Sequence, residues 1–70
     1  MYYRVWPTRA IKEDGWAITE HPGFVTIATG YGNMATVISA VERANRSLNP
    51  TTHLAQFLAT IRLSKHIYTN

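Results

Sequence analysis

Residues 14–48, DGWAITEHPGFVTIATGYGNMATVISAVERANRSL, decide the fold, because strand-like segments punctuated by turns lead into one amphipathic helix. Glu13, Asp14 and Gly15 form a turn, Asp-Gly being the pair that best tolerates positive backbone angles in a hairpin. Residues 16–20 are the returning strand. His21, Pro22 and Gly23 make the next reversal, Pro presetting one turn angle and Gly admitting the angle that follows. In the next strand, residues 24–29, alternation puts Val25 and Ile27 on one face and Phe24, Thr26 and Ala28 on the other. If helices cover one face, Val25 and Ile27 are the better core candidates, with Phe24 on the second face near Trp16 or Tyr2. Gly30, Tyr31 and Gly32 break the strand. Asn33 is then a good N-cap, its side-chain oxygen taking an otherwise unpaired helix amide. Met34, Val37, Ile38, Val41, Ala44 and Leu48 follow the i, i+3, i+4, i+7 spacing of a helix with one buried stripe.

Working upstream, residues 2–6 are rich in aromatic and branched side chains and predict a first strand, which residues 8–12 can continue. Pro7 removes an amide donor and places that strand at a sheet edge or bend. Working downstream, Asn49 and Pro50 stop the helix, and Thr51 or Thr52 caps a second one in which Leu54, Phe57, Leu58 and Ile61 repeat the spacing. Ile67 and Tyr68 either extend that helix or pack separately. The order is β-β-β-α-α. It predicts a single α+β domain over residues 1–70, a three-stranded antiparallel sheet followed by two helices packed on one face.

A chain of 70 residues buries only about 60% of the surface its unfolded form exposes. Without cysteine it has neither disulfide nor thiolate zinc site to compensate, so packing or self-association must supply the difference. The edge strand near Pro7 makes a homodimer one way to do so. Met1 is followed by Tyr2, Tyr3 and Arg4 rather than a basic segment and a long apolar run, and no apolar run approaches the roughly 20 residues of a membrane span. A soluble, cytoplasmic, unprocessed chain is expected. Seven Lys and Arg against four Asp and Glu give a formal charge of +3, which favours acidic partners at long range. Arg43 and Arg46, and Arg62 and Lys65, fall in the last turns of the two predicted helices. There a cation stabilises the carbonyl end by about 0.3–1 kcal/mol. Arg4, Arg9 and Lys12 are left over, near the first hairpin.

Chemistry is sparse. His21, His53 and His66 lack the spacing of metal ligands, so no metal or other cofactor is expected. Ser39, Ser47 and Ser64 have no strained turn or neighbouring base to activate them, and the chain is too short to close a substrate cleft, so no catalytic residue is assigned. Gly30-Tyr31-Gly32 lacks the remaining residues of either phosphate-binding fingerprint and is better explained by strand termination. The aromatic residues, by contrast, crowd the sheet half, interleaved with Arg4, Arg9 and Lys12. Rings beside cations suit single-stranded nucleic acid, a core, or a protein interface, where Trp, Tyr and Arg dominate the binding energy.

Residues 12–26, KEDGWAITEHPGFVT, resemble the N-terminal half of the HicB-type antitoxins, and the likeness covers about residues 2–46. That resemblance implies a truncated nuclease-like β-β-β-α sheet that binds a toxin. Where the family has an acidic helix start, this chain has Asn33-Met34-Ala35-Thr36, and no long DNA-binding extension follows. Residues 24–65 also resemble, in element order, the ribbon-helix-helix repressors, whose paired strands enter the major groove. Thr26 and Ala28 offer little of the chemistry that distinguishes base pairs, and the upstream hairpin has no role in that fold.

The sequence therefore predicts a small non-enzymatic interaction protein that binds and blocks a macromolecular partner, most readily a protein. Smallness and the lack of a cleft suit inhibitors carried by phages and mobile elements, antitoxins and anti-CRISPR proteins among them. The expected contact residues are Tyr2, Arg4, Trp6, Arg9, Lys12, Trp16 and Tyr31. The rival reading is a small basic nucleic-acid-binding regulator using Arg4, Arg9 and Lys12, with Arg43, Arg46, Arg62 and Lys65 in support.

Overall fold

A computed structural model describes residues 1–8 and 15–69, with the backbone alone described for residues 62–69. The elements are β1 (Tyr2–Thr8), β2 (Gly15–His21), β3 (Val25–Tyr31), α1 (Met34–Arg46) and α2 (Pro50–Thr69). The strands form one antiparallel sheet in the order β1-β2-β3, and the chain has the expected α+β architecture. The Glu13-Asp14 turn and the continuation of β1 through residues 9–12 lie outside the described residues. No described helix is long and apolar enough to cross a membrane.

Alternation along β1 and β2 divides the aromatic residues between two faces. Tyr3 lies opposite Glu20, Val5 opposite Ile18 and Pro7 opposite Trp16; this side faces the helices. Tyr3, Trp16 and Ile18 are buried there with Val37, Val41, Ala44 and Leu54, and Val5, Ala28, Met34, Phe57, Leu58 and Ile61 pack around them. Pro7 is indeed on an edge strand. Tyr2, Arg4 and Trp6 lie opposite His21, Thr19 and Ala17 on the other side, which the helices leave open.

Val25 and Ile27 do not enter the core. Ile18 lies opposite Ala28 whereas the next residue, Thr19, lies opposite Thr26, so Ile27 is an extra residue in β3. Such a bulge resets the alternation. Ala28 and Gly30 then face the helices, while Ile27 is exposed and Val25 is 55% exposed, because the helical layer lies mainly over β1. β3 also runs further than expected, through Gly30 to Tyr31. Gly30 is no strand breaker: a Cβ there would overlap the Trp16 indole, so the missing side chain makes room for the largest core ring. The break falls at Gly32, at φ 73.

The helix ends also differ from expectation. Asn33 makes no side-chain cap; it takes the left-handed conformation at φ 54, which Asn tolerates better than most residues, while its carbonyl accepts the Val37 amide at 3.0 Å. In α1 the buried stripe is Val37, Ala40, Val41 and Ala44, and Ile38 is exposed. The helix stops at Arg46 with Ser47 extended, where the Ser47 hydroxyl donates to the Ala44 carbonyl at 2.7 Å. Leu48 is therefore outside the helix and fully exposed. α2 is capped by Asn49 rather than Thr51 or Thr52: Asn49 Oδ1 accepts the Thr52 amide at 3.2 Å, with Pro50 in the first-turn position where its missing amide costs nothing. Thr51 is thereby free to pair its hydroxyl with that of Tyr3 at 3.0 Å, tying the start of α2 to β1. Arg43 and Arg46 occupy the last turn of α1 as expected, and the α2 backbone continues through Ile67 and Tyr68.

Gly30→Ala should destabilise the fold by about 1–3 kcal/mol, the usual cost of overpacking, read as a lower urea midpoint with unchanged slope.

Candidate functional site: the open face of the sheet

The helix-free face is built by residues two apart on neighbouring strands: Tyr2, Arg4 and Trp6 from β1 beside Thr19 and His21 from β2. The reversal after β2 adds Phe24. The Trp6 indole N–H donates to Thr19 Oγ1 at 2.7 Å, and the same hydroxyl oxygen bonds His21 Nε2 at 2.8 Å. One hydroxyl thus satisfies two ring nitrogens, and Thr19 and His21 are buried although no helix covers them. Their cover is aromatic. Tyr2 stacks on His21 with centroids 4.9 Å apart and planes 10° from parallel, and Phe24 meets the His21 ring edge-on at 4.8 Å. Phe24 also lies 5.7 Å from Trp6. The Arg4 guanidinium stands 4.3 Å from the Trp6 ring centroid, a cation–π contact worth about 0.5–1 kcal/mol at an exposed site.

The turn that delivers Phe24 differs from expectation. The positive angle falls on Phe24 itself, at φ 59, and not on Gly23. For a bulky side chain the left-handed region costs roughly 1–2 kcal/mol. Phe24 is nevertheless 62% exposed, so burial recovers little of that cost. The ring sits beside Trp6 and His21, not near Trp16, and its second expected neighbour, Tyr2, shares the cluster through His21.

Of the expected contact residues, Tyr2, Arg4 and Trp6 come together on this face. Tyr31 follows at the end of β3, opposite Gly15 and on the same side, and is 65% exposed. Trp16 does not belong to the set. It is 4% exposed, sits among the helix-facing residues, and donates its indole N–H to the Gly32 carbonyl at 2.9 Å; strand alternation placed it inward when it placed Trp6 outward. Arg9 and Lys12 lie outside the described residues, as do the side chains of Arg62, Lys65 and His66. Three contributors are not among the expected contact residues: Thr19, His21, which the sequence analysis weighs only as a metal ligand, and Phe24, which it expects on the second face near Trp16 or Tyr2. The signal for Thr19 and His21 was present in the i, i+2 pairing of 2-4-6 against 17-19-21. Phe24 depends on the turn geometry, which composition does not carry.

Arg4 is the cation of this face among the described residues, and no acid joins it: Glu20 belongs to the helix-facing set and Glu42 is exposed on α1. Among the described residues no three His, Cys, Asp or Glu side chains gather as a metal site would need. No family model matches the chain, and no curated protein or solved structure matches it either.

Thr19→Val keeps the side-chain shape but strips the hydroxyl from two ring nitrogens, and should cost about 1–3 kcal/mol. Thr19→Ser should recover most of it. Chemical denaturation of the two variants beside the parent chain measures both.

Proposed function

We propose that this chain is a non-enzymatic interaction module that engages and blocks a protein partner through the open face of its sheet. One observation carries the reading: exposed Tyr2 and Phe24 stand over a hydrogen-bonded Trp6–Thr19–His21 layer, with Arg4 laid across Trp6 and exposed Tyr31 further along the same face. Aromatic rings and arginine supply most hot-spot energy at protein interfaces, and a layer already fixed in place loses little further entropy on binding. Phe24 supports the reading further, since an exposed ring held at an unfavourable backbone angle gains little in the free chain.

Base stacking is less well served. The Trp6 ring has one face occupied by Arg4 and the Tyr2 ring lies flat on His21, whereas single strands need free ring faces and cations spaced along the phosphates. An inhibitor or antitoxin-like role follows from the same surface, because a small domain with an aromatic face acts by covering a site on something larger.

Affinity capture from the native host should yield one protein in near-equal amount, and the complex should persist as salt rises from about 0.1 M to about 1 M, where screening shortens from about 10 Å to about 3 Å. Phe24→Ala and Tyr2→Ala should each weaken it roughly 30-fold, the equivalent of a hot-spot loss of about 2 kcal/mol. Recovery of nucleic acid alone, released steeply by salt, would refute the proposal.

A further inference from the structure

The two edges of the sheet are treated differently. On β1 the Tyr3 amide donates to Asn45 Oδ1 at 2.9 Å, and the Tyr3 carbonyl accepts from Asn45 Nδ2 at 2.9 Å. A side-chain amide on α1 thus occupies the outward backbone pair that a neighbouring strand would use. Backbone groups in an antiparallel strand point to the same edge at every second residue, so Val5 and Pro7 share the outward orientation of Tyr3. Pro7 has no N–H to offer. Of these three outward positions, Val5 alone keeps a complete donor and acceptor pair.

β3 carries no such device among the described residues. Val5 turns outward, so Ile18 opposite it directs its groups across the β2–β3 ladder to Ala28, and by alternation Thr29 and Tyr31 turn theirs outward. No side chain or loop among the described residues bonds the backbone of either. The strand contains no proline and no charged residue between Val25 and Tyr31, two of the features by which natural edges avoid pairing; a third, the bulge at Ile27, confines the regular pairing stretch to residues 28–31. Exposed Val25, Ile27 and Tyr31 lie along it.

We propose that β3 is the pairing edge for a second copy of this chain, joining two three-stranded sheets into one continuous antiparallel sheet about a two-fold axis. The occupant follows from charge. A two-fold axis sets a strand against itself, so a charged strand would meet its own charge at close range; β3 has none to repel. Stacking two open faces would instead press two copies of the Arg4 cation into one interface with no described acid on either face, which is costly. The blocked edge limits growth: once two β3 strands pair, the outer edges are both β1, where Asn45 and Pro7 leave Val5 as the one complete outward pair among the described residues, too little for a further strand to add. The pairing edge is thus the one opposite the Pro7 edge that the sequence suggested, and the dimer sets two open faces side by side. It stands whether or not the open face binds a protein.

Sedimentation equilibrium across the micromolar range should show a species of twice the chain mass. Thr29→Lys and Ile27→Lys, checked for folding by far-UV circular dichroism, should each weaken the dimer by roughly ten-fold or more by setting like charges across the axis. In the unaltered chain, the Thr29 and Tyr31 amides should gain protection from hydrogen exchange as concentration rises. A chain that stays monomeric throughout overturns the proposal. So does a dimer that leaves those two amides unprotected, or one that either folded lysine variant leaves intact while Arg4→Ala or Phe24→Ala dissolves it.

Discussion

One layer of helix must serve a sheet with two faces, and that imbalance governs the molecule. α1 and α2 bury Tyr3, Trp16 and Ile18 on one side, and nothing comparable among the described residues covers the other. The second face is consequently closed by its own side chains. Trp6, Thr19 and His21 satisfy one another's polar atoms, while Tyr2 and Phe24 lie over His21. A buried polar layer without helical cover persists because each ring nitrogen in it that points inward finds the Thr19 hydroxyl, and an unmet one would cost about 1–3 kcal/mol.

The tie between layers depends on polar contacts as much as on the apolar stripe. Asn45 joins α1 to the backbone of β1 through two hydrogen bonds at one residue, Tyr3, and the hydroxyl of that same tyrosine reaches Thr51 at the start of α2. Tyr3 is thus gripped at both ends, with its ring in the core. These bonds hold α1 and the start of α2 against β1, consistent with a helical layer that lies towards β1 rather than over β3.

Much of this was legible in the chain, and the failures have three physical causes. Periodicity at 2.0 and 3.6 residues located all five elements, and it located Val37, Val41, Ala44 and Leu54 in the core. It failed wherever one residue shifts phase. The extra residue Ile27 broke the alternation, leaving Ile27 itself exposed and Val25 on the helix side but beyond the helical cover, and the end of α1 at Arg46 left Leu48 exposed, though each fitted a regular repeat. The positive φ of the second turn likewise falls on Phe24 instead of Gly23, against the local preference of both residues and with little burial of the ring to offset it. Asn45 was invisible for a third reason. A polar residue on a helix surface declares no partner until the strand beneath it is placed. In the open face, Tyr2, Arg4 and Trp6 could be grouped by strand parity alone, whereas the same parity should have excluded Trp16, which lies on the next strand in the opposite phase.

The placement of the two tryptophans has a practical corollary. One indole is sealed in the interior and hydrogen-bonded to the Gly32 carbonyl, while the other lies beneath an arginine on the outer surface. The chain has no other tryptophan, so its intrinsic fluorescence carries two separable signals, one from each side of the sheet. Replacing Trp6 with Phe leaves an emitter that senses only the integrity of the interior. Replacing Trp16 isolates the outer emitter, whose spectrum and quenching follow whatever displaces solvent from that surface, so occupancy and unfolding can be watched independently without attaching a label.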